Sequence, residues 1–301
     1  MLCLMEFLFF GYVADGFASG SNILNIIRQF SVLGIMVTGQ CVVMISGCVD
    51  FSVGEQIAMD GMFLAMLLVH VKLPVWIAVS VTLAAGILFG VLNGIICSYL
   101  KIEPSLGTFG SMIFLNGLVY VIFKGHSILG LSGDLQVVRD FSLLNMPIAF
   151  WILVIIGGIG SFILNDTYWG RFLYATGENP EAAGYVGIDS RRIKMQAYIF
   201  CGVLTGIAAV ITVSYNNAAL PYVGNDYMSD CIVACSLGKI SLTGGKGRLS
   251  EALTSALFVV MLTNGLRIMN MNNNLIGCIK GIILLLTLIN YFRISEEIIV
   301  D

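Results

Sequence analysis

The sequence predicts an all-α fold, a polytopic bundle of transmembrane helices, on three observations. Hydrophobic residues make up 58% of the 301 residues and charged residues only 11%, against about a quarter charged in an ordinary soluble domain. Apolar stretches recur along the whole chain. The charge-free runs 141–164 and 195–225 each exceed the ~20 residues a helix needs to cross a bilayer. The net charge of -3 gives no electrostatic ground for a nucleic-acid partner.

Hydropathy and turn signals divide the chain into about ten membrane segments. They lie near 1–13, 30–49, 56–71, 73–100, 105–123, 147–164, 195–214, 228–243, 252–267 and 274–291. Two of them, 56–71 and 228–243, are short enough to re-enter rather than cross. No interval between segments is long enough for a soluble domain, so residues 1–301 read as one transmembrane domain. The start, up to Gly16, has neither a basic leader nor a small-residue cleavage site. It reads as a shortened first span, with the true start upstream or the first helix clipped.

The longest polar interval runs from Asn165 to Lys194. Its backbone cannot lie unpaired in hydrocarbon, so it must sit in water between two spans. Arg171, Arg191, Arg192 and Lys194 place it on the cytoplasmic side. If every segment crosses, both termini are cytoplasmic too. Lys101, Lys246, Arg248 and Arg293 then also fall inside, and Arg28, Lys72, Lys124 and Arg139 outside, the expected inward bias.

Within this interval Gly177, Asn179 and Pro180 read as a turn. Pro180 suits the first helical position, Asn179 can cap it, and Glu181 sits near the positive end of the helix dipole. A short helix through Glu181, Ala182, Ala183 and Tyr185 should stop near Gly184 or Gly187.

Elsewhere the polar residues read first as structural. Asp50 or Ser52 can cap the helix that follows. Since a carboxylate inside the bilayer is costly, the next span is expected to begin near Asp60. Gly86, Gly90 and Gly94 repeat at four-residue spacing, which allows close helix packing, and Asn93 lies in the same face. The glycine-rich run from Leu237 to Gly247 carries Lys239 and Lys246, yet it lacks the Gly-Lys-Ser/Thr order of a phosphate loop, so no ATP site is encoded there. Cys231 and Cys235 stand without partner histidines and read as helix packing, with no metal site expected. Arg267 and Lys280 lie near predicted helix ends, from which they can snorkel.

Three motifs carry a family resemblance. Glu181-Ala182-Ala183, three residues, then Gly187-Ile188 resembles the EAA loop of ABC-importer permeases. Val49-Asp50-Phe51-Ser52-Val53-Gly54 is similar to a signature of simple-sugar permeases, with Phe51 for the usual Leu. Leu237 to Gly247 is similar to a third pattern of that family, with Gly238, Gly244, Gly245 and Gly247 in place and Lys239 where the second glycine stands. The resemblance spans roughly residues 22–290 and points to the ribose-type branch. It implies a permease subunit of a bacterial cytoplasmic-membrane importer, moving a simple sugar such as ribose, with Gly177, Asn179, Glu181, Ala182, Ala183, Gly187 and Ile188 in an ATPase-coupling loop. It further implies a cytosolic ATPase that uses ATP and Mg, an extracytoplasmic sugar-binding protein, and a second permease subunit, identical or paralogous. The chain itself is expected to bind no cofactor and to perform no catalysis.

A neutral sugar needs hydrogen-bonding groups along its route. Asn93, Thr108, Ser111, Asn116, Asn216 and Asn217 are the candidates in or near spans. A branched-chain amino acid permease is the related alternative. An ion-gradient transporter would need paired charged groups at mid-membrane, for which the charge-free spans offer no clear candidate. A membrane enzyme would need clustered catalytic side chains, whereas His70 and His126 stand apart in the sequence.

Overall fold

The computed structural model describes residues 2–131 and 133–300. Thirteen helices are present among them, in chain order α1 (Leu2–Val13), α2 (Gly20–Ile45), α3 (Val53–Val69), α4 (Val75–Gly94), α5 (Pro104–Phe123), α6 (Gly133–Asp140), α7 (Ile148–Asp166), α8 (Tyr168–Glu178), α9 (Pro180–Tyr185), α10 (Ser190–Asn216), α11 (Tyr227–Leu237), α12 (Leu249–Ile268) and α13 (Asn273–Val300). A π-helical turn, Ile95–Tyr99, prolongs α4. Six of the described helical segments are long and apolar enough to cross a bilayer: α2, α4 with its π turn, α5, α7, α10 and α12. The others among the predicted spans are shorter or, like α3, carry charge.

The bundle is built around α2 and α10. Of their most apolar windows, 78% and 72% are buried, against 17–28% for α4, α5 and α7. The last three therefore present apolar faces outward, as helices bordering lipid do. The four-residue glycine spacing in α4 has the packing consequence expected of it. A β-carbon on Gly86 would lie 2.6 Å from the Gly202 carbonyl oxygen, and one on Gly90 equally close to that of Tyr198. Only glycines let α4 and α10 approach backbone to backbone.

The first turn of α3 also meets the segment that leads into α11 backbone to backbone, since a β-carbon on Gly54 would stand 2.6 Å from the Gly224 carbonyl oxygen. Between α5 and α7 a small cap forms at the end of the bundle opposite α8. There β1 (Ile128–Leu129) pairs antiparallel with β4 (Ala218–Ala219), and β2 (Ser142–Leu143) with β3 (Met146–Pro147).

The structure corrects one boundary. α3 begins at Val53, seven residues before Asp60, so this carboxylate lies in mid-helix and fully buried rather than at a helix start. Gln56, one turn earlier, spans the gap: its Nε2 donates to Asp60 Oδ2 at 3.4 Å and to the Gly202 carbonyl at 3.1 Å. The glycine seam of α4 and α10 exposes those carbonyls and so makes a polar pocket in an apolar bundle. Arg267 and Lys280 are paired as well, with Asp226 at 3.4 Å and Asp230 at 2.6 Å.

Candidate functional site

The local chemistry of residues 177–188 forms the short helix that its residues predict. Asn179 Oδ1 accepts from the backbone N–H groups of Glu181 and Ala182, both at 3.0 Å, and Pro180 occupies the first turn. These bonds satisfy donors that a helix start otherwise leaves open. Gly187 takes a φ of +85°, the left-handed region in which glycine ends a helix at least cost. Ala183 is buried, whereas Tyr185 and Val186 are 91% and 75% exposed. An aromatic and a valine thus project from a loop that lies outside the long spans. Asp189 caps the next helix, accepting from Arg192 N.

α9 hangs from α8, and α8 is locked to the bundle at a four-glycine junction. A β-carbon on Gly177 would overlap the Ile45 carbonyl oxygen, at the end of α2. Gly245 N donates to that same carbonyl at 2.9 Å. A β-carbon on Gly244 would lie 2.5 Å from Gly47 Cα, and one on Gly245 2.8 Å from Glu178 Cα. The glycine-rich run is therefore wedged between the last turn of α2 and the last turn of α8. Tyr174 OH adds a bond to the Gly247 carbonyl at 2.9 Å, and burial raises its phenol above the ordinary value. Gly238 closes the run's other end against α12, where a β-carbon on it would lie 2.6 Å from Ala252 Cα. Lys239, which stands where a glycine is expected, nevertheless keeps a glycine-like φ of 56°.

The second predicted cluster lies beside this junction. Asp50 Oδ1 accepts from Ser52 N at 2.8 Å and from Ser52 Oγ at 2.6 Å. Asn93 Nδ2 donates to Ser52 Oγ at 2.8 Å and approaches both Asp50 oxygens. Thr108 Oγ1 accepts from Phe51 N at 3.1 Å and lies 3.1 Å from the Val49 carbonyl, toward which Tyr198 OH also points. Asp50, Ser52, Asn93 and Thr108 thus form one buried knot that holds the 46–52 break. Asn93 and Thr108 are engaged there with protein partners.

The other candidate path residues are dispersed. Ser111 bonds the Gly107 carbonyl in its own helix, and Asn116 donates to Glu55 at 3.0 Å. Asn93 and Ser111 both border a groove of about 540 Å³ between α4 and α5. Asn217 ends α10 and accepts from Gln136 at 3.5 Å, while Asn216 lines a polar pocket at the end of the bundle opposite α9.

Sequence reasoning missed Gly47 and Gly224, whose role depends on chain segments far away, and Tyr174 and Tyr198, whose hydroxyls find backbone carbonyls remote in the chain. It missed the Asp230–Lys280 pair because each charge has its partner 50 residues away.

Residues 22–288 match the family described as branched-chain amino acid transport system / permease component. The chain is 32% identical over 277 residues to the ribose import permease protein RbsC of Haemophilus influenzae, covering 91% of this chain and 85% of that one. With the ribose import permease protein of Escherichia coli K12 the identity is 31% over 281 residues, 92% and 87% of the two chains. With the xylose transport system permease protein XylH of the same strain it is 27% over 343 residues, 93% and 87%. No solved structure matches the chain. A match over nearly the full length, on a bundle with six helices fit to cross a bilayer, makes this chain a multi-pass membrane protein that belongs to the transport-system permease family, in its ribose-type branch.

Proposed function

We propose that the chain is the membrane-spanning subunit of an ATP-driven importer for a simple sugar such as ribose. It works as one of two permease subunits, with about ten membrane segments and both termini in the cytoplasm. A cytosolic ATPase grips α9, and an extracytoplasmic binding protein delivers the sugar to the opposite end. ATP and Mg are used by the ATPase, and this chain binds no cofactor.

The observation that carries the reading is the mechanical continuity from α9 to the core. A rigid, capped helix displays Tyr185 and Val186 to water. Exposed aromatic residues of this kind are frequent anchors of protein interfaces. The helix is joined through Gly177 to the end of α2, the most buried of the long helices, and through Gly244 and Gly245 to the segment that follows α11. A push on α9 is therefore delivered to α2 and α11 together. Packed cores respond to such a push by switching between discrete arrangements rather than bending continuously. The sugar-permease relatives support sugar as the cargo in preference to a branched-chain amino acid.

The test is affinity purification of the tagged chain from its native membrane, wild type beside Tyr185→Asp and Gly187→Trp. The reading expects an ATPase retained by wild type and lost from both variants while they remain inserted. Wild type that holds no ATPase under gentle detergent conditions contradicts it.

A further inference from the structure

The polar pocket at the end of the bundle opposite α9 gathers amides that the fold leaves uncommitted. It is a cavity of about 260 Å³, lined from α2 by Asn25, Arg28 and Gln29, from α6 by Arg139, and from α10 and α11 by Asn216 and Tyr227. Among the described residues no hydrogen bond or ion pair engages the side chain of Asn25, Gln29 or Asn216. The other polar candidates for the sugar's route, Asn93, Thr108, Ser111, Asn116 and Asn217, are all held by protein partners.

An amide carries a donor and an acceptor side by side, and each sugar hydroxyl can likewise donate and accept. Amides therefore match a polyol in either sense, whereas a carboxylate only accepts and a guanidinium only donates. The two cations of the cavity are engaged elsewhere. Arg139 bonds Asp140 at 2.8 Å, and Arg28 lies over the Tyr215 ring, 5.6 Å from its centroid, with its Nε buried. Val32 and Tyr227 add apolar lining for the C–H face of a sugar ring, the Tyr227 hydroxyl being taken by Thr212. Neutral hydrogen bonds are about half as strong as charge-assisted ones, so a ligand held by them leaves again, as a transported one must. The volume is below the ~300–1,000 Å³ of pockets for drug-sized ligands, which suits one monosaccharide and excludes a disaccharide.

We propose that this cavity is a receiving site within the permease for one neutral monosaccharide, whose hydroxyls bond Asn25, Gln29 and Asn216. The inference rests on the importer reading above, which places the cavity at the extracytoplasmic mouth. It deepens that reading, because the chain itself then selects a single uncharged ring rather than passing whatever is delivered to it. Asn25 and Gln29 lie one turn apart on α2, and Asn216 is the last residue of α10. A sugar held between them bridges the two central helices of the bundle. The far end of α2 is where the Gly177 and Gly244 junction bears, so the site includes a helix on which the coupling push acts.

The test is a saturation-transfer NMR titration of the purified chain in lipid nanodiscs, without ATPase or binding protein. The probes are D-ribose and D-glucose as neutral monosaccharides, sucrose as a disaccharide and gluconate as a charged polyol. The proposal expects saturable binding of at least one monosaccharide in the millimolar range, the strength of a few neutral hydrogen bonds. Sucrose should not bind, and gluconate should bind no more tightly than glucose. Asn25→Leu and Gln29→Met keep the volume but remove an amide, and each should weaken binding about three- to tenfold. Asn216→Trp fills the cavity from an exposed position and should abolish binding, whereas Asn274→Leu, an exposed amide outside the cavity, should change nothing. Each variant is checked for an unchanged elution volume. Absence of monosaccharide binding to wild type, or binding unchanged in Gln29→Met or in Asn216→Trp, overturns the proposal. So does sucrose binding as tightly as the monosaccharide, or gluconate binding more tightly than glucose. A chain that retains its ATPase yet binds no monosaccharide removes this site and leaves the importer reading standing.

Discussion

Gly177 of α8 is pressed against the carbonyl of Ile45, the last residue of α2, so closely that a β-carbon there would overlap the oxygen. The same carbonyl receives Gly245 N at 2.9 Å, so three chain segments meet on one acceptor. Gly177→Ala must push these segments apart. We expect a loss of about 1–3 kcal/mol, typical of forced overpacking, read as a lowered midpoint of thermal unfolding in detergent. Gly184 is the control, because nothing stands within 4 Å of its β-carbon position. Gly184→Ala should be neutral or stabilising by about 0.5–1 kcal/mol.

Lys280 Nζ lies 2.6 Å from Asp230 Oδ1, with both side chains largely buried. Lys280→Met leaves Asp230 without its countercharge and should cost about 3–5 kcal/mol. Asp230→Asn combined with Lys280→Met removes both charges and should recover most of that loss. Thermal unfolding of the two variants measures the difference, and equal destabilisation would contradict a buried pair.

Asp60 bears on the choice of energy source. Its Oδ1 is buried with no hydrogen-bond partner, and among the described residues it belongs to no cluster of three His, Cys, Asp or Glu side chains. Asp60→Asn keeps the shape and an acceptor for Gln56. ATP-driven uptake in reconstituted vesicles should persist within about twofold of wild type, by the small difference between isosteric polar groups. Loss of uptake with normal folding would favour a gradient-driven mechanism.

Tyr174 gives the junction an alkaline signature. Its phenol value is raised by burial, and its hydroxyl donates to the Gly247 carbonyl at 2.9 Å. A raised value means that the unfolded chain releases the proton first. The contribution to stability is therefore complete below the unfolded value of about 10 and is lost as pH rises through the folded value. Tyr174→Phe should lower stability by about 1 kcal/mol at neutral pH and flatten that alkaline decline, measured by thermal unfolding between pH 8 and about pH 11, a window set by the same unfolded value.

What was legible in the sequence is what local chemistry determines. The α9 helix could be read because its cap, its Pro180 and its terminal glycine lie within nine residues, from Asn179 to Gly187. The six long spans were legible from length and apolarity, and the α4 glycine spacing announced a close neighbour without naming it. What escaped the sequence was set by tertiary partners. Asp60 was expected at a helix start because mid-helix burial is costly, and the polar surroundings that admit it come from Gly86 and Gly202, remote in the chain. Arg28 reads as a loop-side cation until α6, α10 and α11 close around it. Asn93 and Thr108 stand in the sequence as path candidates, and only the folded 46–52 break shows the hydrogen bonds that each makes to it.

In the proposed importer α9 is the handle of a cytosolic motor and the opposite end is the port for cargo. A photo-crosslinking amino acid placed at position 185, and separately at position 126, just before β1 at the end of the bundle opposite α8, tests both ends in the native membrane. Position 185 should capture a cytosolic ATPase, and position 126 an extracytoplasmic binding protein. Capture of an extracytoplasmic protein from position 185, or of no ATPase at all, would contradict it.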